Sequence, residues 1–252
     1  MRVFGLIGFP LSHSFSKKFF AEKFSQEGIT DAVYENFPLE DISGLAPLLS
    51  GTKQLHGLNV TIPYKEAVIP FLDGYNEVVG QTGACNCIKI ANGKTYGYNT
   101  DAEGFRQSLA AGLQPHHSRS KALILGKGGA AKAVAYVLSQ LRISYTWVVR
   151  KHKNPVTEGN NVLLYEEVDD SVIAGHELII NTTPLGMYPD IEACPSIPYS
   201  AITAGHYLFD LIYNPEKTMF LQKGEERGAY IQNGHPMLIL QAEESWRIWN
   251  EH

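Results

Sequence analysis

The sequence predicts an α/β protein, and three observations carry that reading. Strand-like and helix-like segments alternate along the chain. The strands of the second half are near-continuous apolar runs, as in a parallel sheet covered on both faces. One of them, in KALILGKGGAAKAV at 121–134, runs into a glycine cluster that opens a small-residue helix.

Taken in order, RVFGLIG reads as a buried first strand. SKKFFAEKFSQEG follows as a helix, with Phe19, Phe20 and Phe24 at helical spacing and Gly28 as its stop. DAVYENF is a strand, LEDISGLAPLLS a helix broken by Pro47, and LHGLNVT a strand. CNCIKIANGKTYGYN is a hairpin about Asn92-Gly93. DAEGFRQSLAAGLQ, residues 101–114, is a helix with Asp101 at the N-cap, and PHHSRS is a polar connection. The rhythm then becomes regular: strand KALILG, a helix over 129–141, and strands SYTWVVR, NVLLYEE, HELIINTT and HYLFDLIY. A terminal helix, HPMLILQAEESWRIWNEH, closes the chain.

The 252 residues suffice for one large domain or two small ones, with 44% hydrophobic and 19% charged residues, an ordinary globular composition. A net charge of −5 supplies neither a basic face for nucleic acid nor a polybasic membrane patch. The start, MRVFGLIGFPLSHS, is similar to a short signal peptide, but Pro10 interrupts the apolar run and no clean cleavage site follows. No apolar stretch is long enough to span a bilayer. Cys85, Cys87 and Cys194 form no disulfide framework and read as small hydrophobes in a reducing cytoplasm. The nine histidines lack metal-ligand spacing, so no metal is expected.

Within LILGKGGAAKAV, Gly126-x-Gly128-x-x-Ala131 sits after a strand and before a helix, the context a dinucleotide fingerprint requires. The first glycine permits a tight turn, the second lets backbone N–H groups approach a pyrophosphate, and the small third residue allows close helix–strand packing. Gly126, Lys127, Gly128, Gly129 and Ala130 are therefore the candidate phosphate loop. An NAD-binding chain places an acidic residue at the end of the next strand, about 20 residues on, for the ribose 2′-hydroxyl. Here RKHK stands there instead, with Arg150 and Lys151 first. Cations accept a 2′-phosphate that a carboxylate would repel, so the cofactor reading is NADP(H); the alternative is a solvated basic turn.

Two stretches in the first half carry candidate chemistry. PLSHSFS sets Ser12, Ser14 and Ser16 on one stride after a strand end, where hydroxyls either bind a carboxylate or cap the next helix. LNVTIPYK ends a strand with Asn59 and Thr61, then Lys65. A lysine there can polarise a carbonyl or exchange a proton, with Asp101 of YNTDAEG as a candidate partner; the plain alternatives are a surface lysine and a helix cap.

With these residues assembled, the chain resembles the shikimate dehydrogenase family over nearly its whole length. SHSFS resembles the family's Ser-x-Ser carboxylate clamp, implying Ser14 and Ser16. NVTIPYK resembles its Asn-Val-Thr-x-Pro-x-Lys signature, which makes Lys65 the catalytic lysine, and NTDAEG makes Asp101 its partner. GACNC places Asn86 at the substrate, with Asn59 and Thr61 as further candidates for its hydroxyls. INTTPLGM, DLIYNPEKTMFL and NGHPMLILQA implicate Thr182, Tyr213 and Gln241, with Leu211 and Gly234 near the nicotinamide. The resemblance implies a substrate-binding domain from 1–100 and 233–252 and a Rossmann-like NADP-binding domain from 101–232 with a parallel sheet. It implies NADPH-dependent reduction of 3-dehydroshikimate to shikimate by a cytoplasmic enzyme, monomer or homodimer, acting on a small molecule. Two rivals stand beside it: a quinate/shikimate dehydrogenase with relaxed cofactor use, and a non-catalytic NADP-binding sensor. The chain also departs from the family pattern. Val149-Arg150-Lys151 replaces Asn-Arg-Thr, Lys127 stands where alanine is common, His235 and Pro236 replace Leu and Gly, and Cys87 takes a Thr position.

Overall fold

The computed structural model describes residues 1–11, 14–113, 120–151 and 161–251. Ser12, His152, Lys153 and all of PHHSRS except its last serine lie outside the described residues. The chain divides into two compact units, Met1–Thr100 with Gln241–His252, and Asp101–Leu240.

The first unit alternates β1 (Arg2–Gly8), α1 (Phe15–Gln26), β2 (Ala32–Pro38), α2 (Leu45–Gly51), β3 (Leu55–Val60), β4 (Gly74–Tyr75), α3 (Glu77–Thr82), β5 (Cys87–Ala91) and β6 (Lys94–Tyr98). Its sheet runs β2-β1-β3-β5-β6-β4 and is mixed. β1, β2 and β3 are mutually parallel, whereas β5 joins β3 and β6 antiparallel. The hairpin turns at Asn92 (φ +53°) and Gly93 (φ +74°), both left-handed, as that dipeptide favours. Trp249, near the chain end, stacks on Phe4 at 4.9 Å and donates its indole N–H to the Ile88 carbonyl at 3.0 Å. The indole lies so close to Gly57 that a Cβ there would collide with it. Phe20, Phe24, Tyr34 and Ile248 complete this core.

The second unit contains α4 (Thr100–Gly112, from its second residue on), β7 (Ala122–Leu125), α5 (Gly129–Gln140), β8 (Tyr145–Val149), β9 (Val162–Leu164), α6 (Asp170–Ala174), β10 (Leu178–Asn181), β11 (Tyr207–Asp210), α7 (Met219–Glu225) and β12 (Tyr230–Gln232). α8 (His235–Asn250) begins within it. The sheet order is β12-β11-β10-β7-β8-β9, and every pairing is parallel. Numbered from β7, this is the doubly wound order 6-5-4-1-2-3, which reverses direction between β7 and β10. β7, β10 and β11 are wholly buried, as their apolar runs predict.

Several local expectations need correction. Pro47 does not break its helix. A 3₁₀ turn at Ile42–Gly44 comes first, and Pro47 falls in the first turn of α2, where a missing N–H costs nothing. NVLLYEE is a strand only to Leu164; a 3₁₀ turn, Tyr165–Glu167, follows, with the Glu167 carboxylate accepting the Leu164 N–H at 2.6 Å. Asp101 is not the N-cap. The helix starts at Thr100, whose N–H is taken by the Asn86 side-chain oxygen at 2.6 Å, so the cap comes from a distant segment. Cys85 precedes β5 rather than sharing it with Cys87, although both are fully buried. α3 was unforeseen, yet it has an Asn76 cap and a left-handed Gly83 stop. Among the described residues no helix is long and apolar enough to cross a membrane.

Candidate active site

In a doubly wound sheet, ligands bind beyond the carboxyl ends of the strands where the order reverses. Parallel register brings four such ends level: Leu125 pairs with Asn181 and Val148, and Asn181 pairs with Asp210. Gly126, Arg150, Thr182 and Leu211 therefore follow adjacent strand ends directly. A cavity of ≈ 920 Å³ opens there, lined by Gly126, Lys127, Gly128, Arg150, Lys151 and Thr182, among others.

The glycine loop has the geometry its spacing predicts. Gly126 has φ +101°, and a Cβ would meet the Thr182 hydroxyl at 2.8 Å, so both conformation and space demand glycine. Thr182 in turn donates its hydroxyl to the Leu125 carbonyl at 2.6 Å, which ties the two loops together. Gly128 is the N-cap of α5, with no atom within 4 Å of where a Cβ would lie, so the backbone is open to a close ligand. Gly129 and Ala130 are the first helical residues, and their N–H groups point at a helix N-terminus suited to phosphate. Exposed Arg150 and Lys151 leave β8 with no acidic residue beside them in the chain, and Lys127 lies 5.9 Å from the Trp147 ring centroid. These residues fit a dinucleotide carrying an extra phosphate. Leu211 and Gly234 also meet: a Cβ at Gly234 would strike the Leu211 carbonyl, and the Gly234 N–H donates to Ile212 O at 3.0 Å. Tyr213 is half-buried, and burial raises its phenol above the ordinary range.

Sequence reasoning missed Tyr165, Thr183 and Cys194, which also line the cavity. Burial pushes the Tyr165 phenol up to about 12 against the pull of the Arg150 guanidinium. No short motif marks Tyr165 or Cys194; only the folded register brings them to the cleft.

In the first unit, several candidates belong to one buried polar network. Tyr34 donates to Asn59 Oδ1 at 2.8 Å, and Ser16 is hydrogen-bonded to the same phenol. Asn59 Nδ2 donates to Ser245 Oγ at 2.8 Å and to the Asn86 carbonyl at 3.2 Å. Asn86 Nδ2 donates to Thr100 Oγ1 at 3.0 Å and reaches Gln241 Oε1 at 3.5 Å. Tyr34, Thr100 and Ser245 were not foreseen, and all are buried. Thr61 and Lys65 follow β3 and are half-buried, with the Thr61 N–H on Ile7 O and the Lys65 carbonyl on the Cys85 N–H. Asp101, 7% exposed, belongs to the second unit.

Of the two sequence readings of the Ser14 hydroxyl, the capping bond is not made. Ser14 occupies the N-cap of α1, and its Oγ is buried without a partner among the described residues. A buried hydroxyl left unpaired is unfavourable by about 1–3 kcal/mol, so its placement is not explained by helix capping.

The model of the shikimate dehydrogenase substrate binding domain matches residues 6–88. A curated relative from Halothermothrix orenii, named shikimate dehydrogenase (NADP(+)), is 35% identical over 266 residues, covering 98% of this chain and 90% of the relative. The chain belongs to the shikimate dehydrogenase family. Among solved structures, the shikimate dehydrogenase of Aquifex aeolicus superposes with a TM-score of 0.87 at 34% identity, over 99% of this chain and 92% of that one. The shikimate 5-dehydrogenase of Thermus thermophilus, solved in complex with NADP(H) and shikimate, superposes at 0.87 with 29% identity, over 99% and 94% of the two chains. The family's α/β architecture, a substrate domain followed by a Rossmann-like domain, is thus the architecture of this chain.

Proposed function

We propose that this chain catalyses the reversible NADPH-dependent reduction of 3-dehydroshikimate to shikimate. The observation that carries the reading is the cleft at the reversal of the parallel sheet, glycine-lined and ending in Arg150 and Lys151, in a chain alike to NADP-dependent shikimate dehydrogenases from end to end. Bound NADPH supplies the hydride. Gly126, Lys127, Gly128, Gly129 and Ala130 hold its pyrophosphate, Arg150 and Lys151 its 2′-phosphate, and Thr182, Leu211 and Gly234 the nicotinamide half.

Ser14 and Ser16 hold the substrate carboxylate, with Tyr213 as a third donor. Asn59, Thr61, Asn86 and Gln241 select the ring hydroxyls. The network around Asn59 and Asn86 fixes the direction of both amides. Lys65 hydrogen-bonds the reacting oxygen and gives it a proton as it becomes an alcohol. Asp101 acts with Lys65 as an acid–base pair and accepts from the neighbouring hydroxyl. On this reading the enzyme works in the cytoplasm on a small molecule, as a monomer or homodimer.

Shikimate with NADP⁺ is expected to yield reduced cofactor, followed by its absorbance. Binding of NADP⁺ without any turnover would contradict the reading and favour a non-catalytic sensor. Ser14→Ala is expected to raise KM for 3-dehydroshikimate by about 10–100-fold, since hydrogen bonds to a charged group contribute about 1.5–3 kcal/mol. Its melting temperature is expected not to fall, because Oγ has no partner to lose among the described residues. An unchanged KM would remove Ser14 from the clamp.

A further inference from the structure

Asp210 ends β11 and is fully buried. Interior carboxylates are normally paired with a cation, but among the described residues this one has only hydrogen-bond donors around it. Asn181 Nδ2 and the Ile212 N–H donate to Oδ1, each at 3.0 Å, and Thr218 Oγ1 donates to Oδ2 at 2.6 Å. The bonds continue toward the cavity. Asn181 Oδ1 accepts from the Thr183 N–H at 3.0 Å and its hydroxyl at 2.7 Å, and Thr183 Oγ1 accepts the Leu185 N–H at 3.3 Å. Thr182, Thr183 and Leu185 line the cavity, while Ile212 follows Leu211, whose backbone rests on Gly234. One carboxylate therefore joins the segments after β10 and β11 and the cap of α7.

We propose that Asp210 is a positioning residue for the cofactor: through Asn181 and Thr183 it holds the 182–185 wall of the cleft, and through Ile212 the Leu211 turn. The inference rests on the NADP(H) reading of that cleft.

The charge is held against the stability of the fold. Burial raises the carboxyl from 3.8 to about 6. With the folded value above the unfolded one, the group's stabilising contribution is fully present below about 4 and is lost as pH rises through about 6. At neutral pH the ionised group is therefore a net burden, as expected where geometry is kept for function. Protonation of Oδ2 only reverses the Thr218 bond, with the carboxylic hydrogen donated to Thr218 Oγ1 and both bonds to Oδ1 kept. Tyr199 is the titratable group facing Asp210, and burial holds its phenol far above the ordinary range. Tyr165, Cys194 and Lys223 in turn face Tyr199, with the Lys223 ammonium 4.8 Å from its ring centroid. All four are unchanged in the variants below.

The test measures NADP⁺ binding by calorimetry at pH 5.5 and 7.5, with thermal melting, for the full chain, Asp210→Asn and Asp210→Ala. Asparagine preserves the geometry, because its oxygen accepts from Asn181 and Ile212 and its amide donates to Thr218. Asp210→Asn is expected to melt no lower than wild type at pH 7.5 and to bind within about threefold of it. Asp210→Ala strands three donors and is expected to raise Kd by about tenfold or more. The cofactor's own phosphate titrates near pH 6, so the decisive quantity is the difference between proteins. Because asparagine and the protonated carboxyl make the same bonds, the acid-side change in Kd is expected to agree within about threefold in wild type and Asp210→Asn. An Asp210→Asn Kd as high as that of Asp210→Ala, or an Asp210→Ala Kd within about twofold of wild type, would overturn the proposal. If Asp210→Ala does not fold, Asn181→Ala, which cuts the same chain of bonds between Asp210 and Thr183, takes its place with the same expected rise in Kd. Wild type that binds no NADP⁺ would overturn the cofactor reading beneath it, an outcome distinct from an unchanged Kd in Asp210→Ala.

Discussion

Lys65→Ala is expected to lower kcat by about 10²–10⁴-fold, the range for removing a positioned proton donor. NADPH affinity is expected to stay within about twofold, since the lysine acts on the reacting oxygen and not on the cofactor. Lys65 follows the carboxyl end of β3, whose apolar face is anchored in the first unit's core, so its backbone position is set by Leu58 and Val60 rather than by the loop alone. Asp101→Asn is expected to reduce kcat as well. Because an acid–base pair acts together, the double variant is expected to lose less than the product of the two single losses. Steady-state kinetics with a separate NADPH binding measurement separate these effects. Full turnover in Lys65→Ala would remove the lysine from the chemistry.

Arg150→Ala is expected to weaken NADPH binding by about 10–100-fold and to leave NADH binding unchanged. The guanidinium's charge-assisted bonds contribute about 1.5–3 kcal/mol only when the 2′-phosphate is present. Lys151 is the adjacent cation, so Lys151→Ala is expected to cause a smaller loss: an ammonium meets phosphate as a point charge, without the bidentate fork. High salt is expected to shrink both losses, since both side chains are exposed. Equal losses for NADPH and NADH would contradict a phosphate clamp and leave the arginine a general surface cation.

The glycine loop and the basic strand end were legible in the sequence because their rules are local. A tight turn needs glycine at a fixed place, and the residue after the second strand faces the ribose at a fixed distance along the chain. The apolar runs of β7, β10 and β11 likewise announced a parallel sheet. What escaped was non-local. Asp101 was read as a helix cap because capping rules look at neighbouring residues, whereas Asn86, 14 positions earlier, caps Thr100. The Asn59–Ser245 bond spans 186 positions, and no periodicity encodes it. Tyr165 and Cys194 reach the cleft through strand register and long connections. Asp210 stood inside a stretch, DLIYNPEKTMFL, that pointed to Leu211 and Tyr213, and only the folded chain shows three donors converging on its carboxylate.

The most direct test mixes the protein with 3-dehydroshikimate and follows the loss of reduced cofactor, first with NADPH and then with NADH. Rapid consumption of NADPH, with NADH far slower, is the predicted result. No consumption of either cofactor, with NADPH binding intact, would contradict the proposed activity.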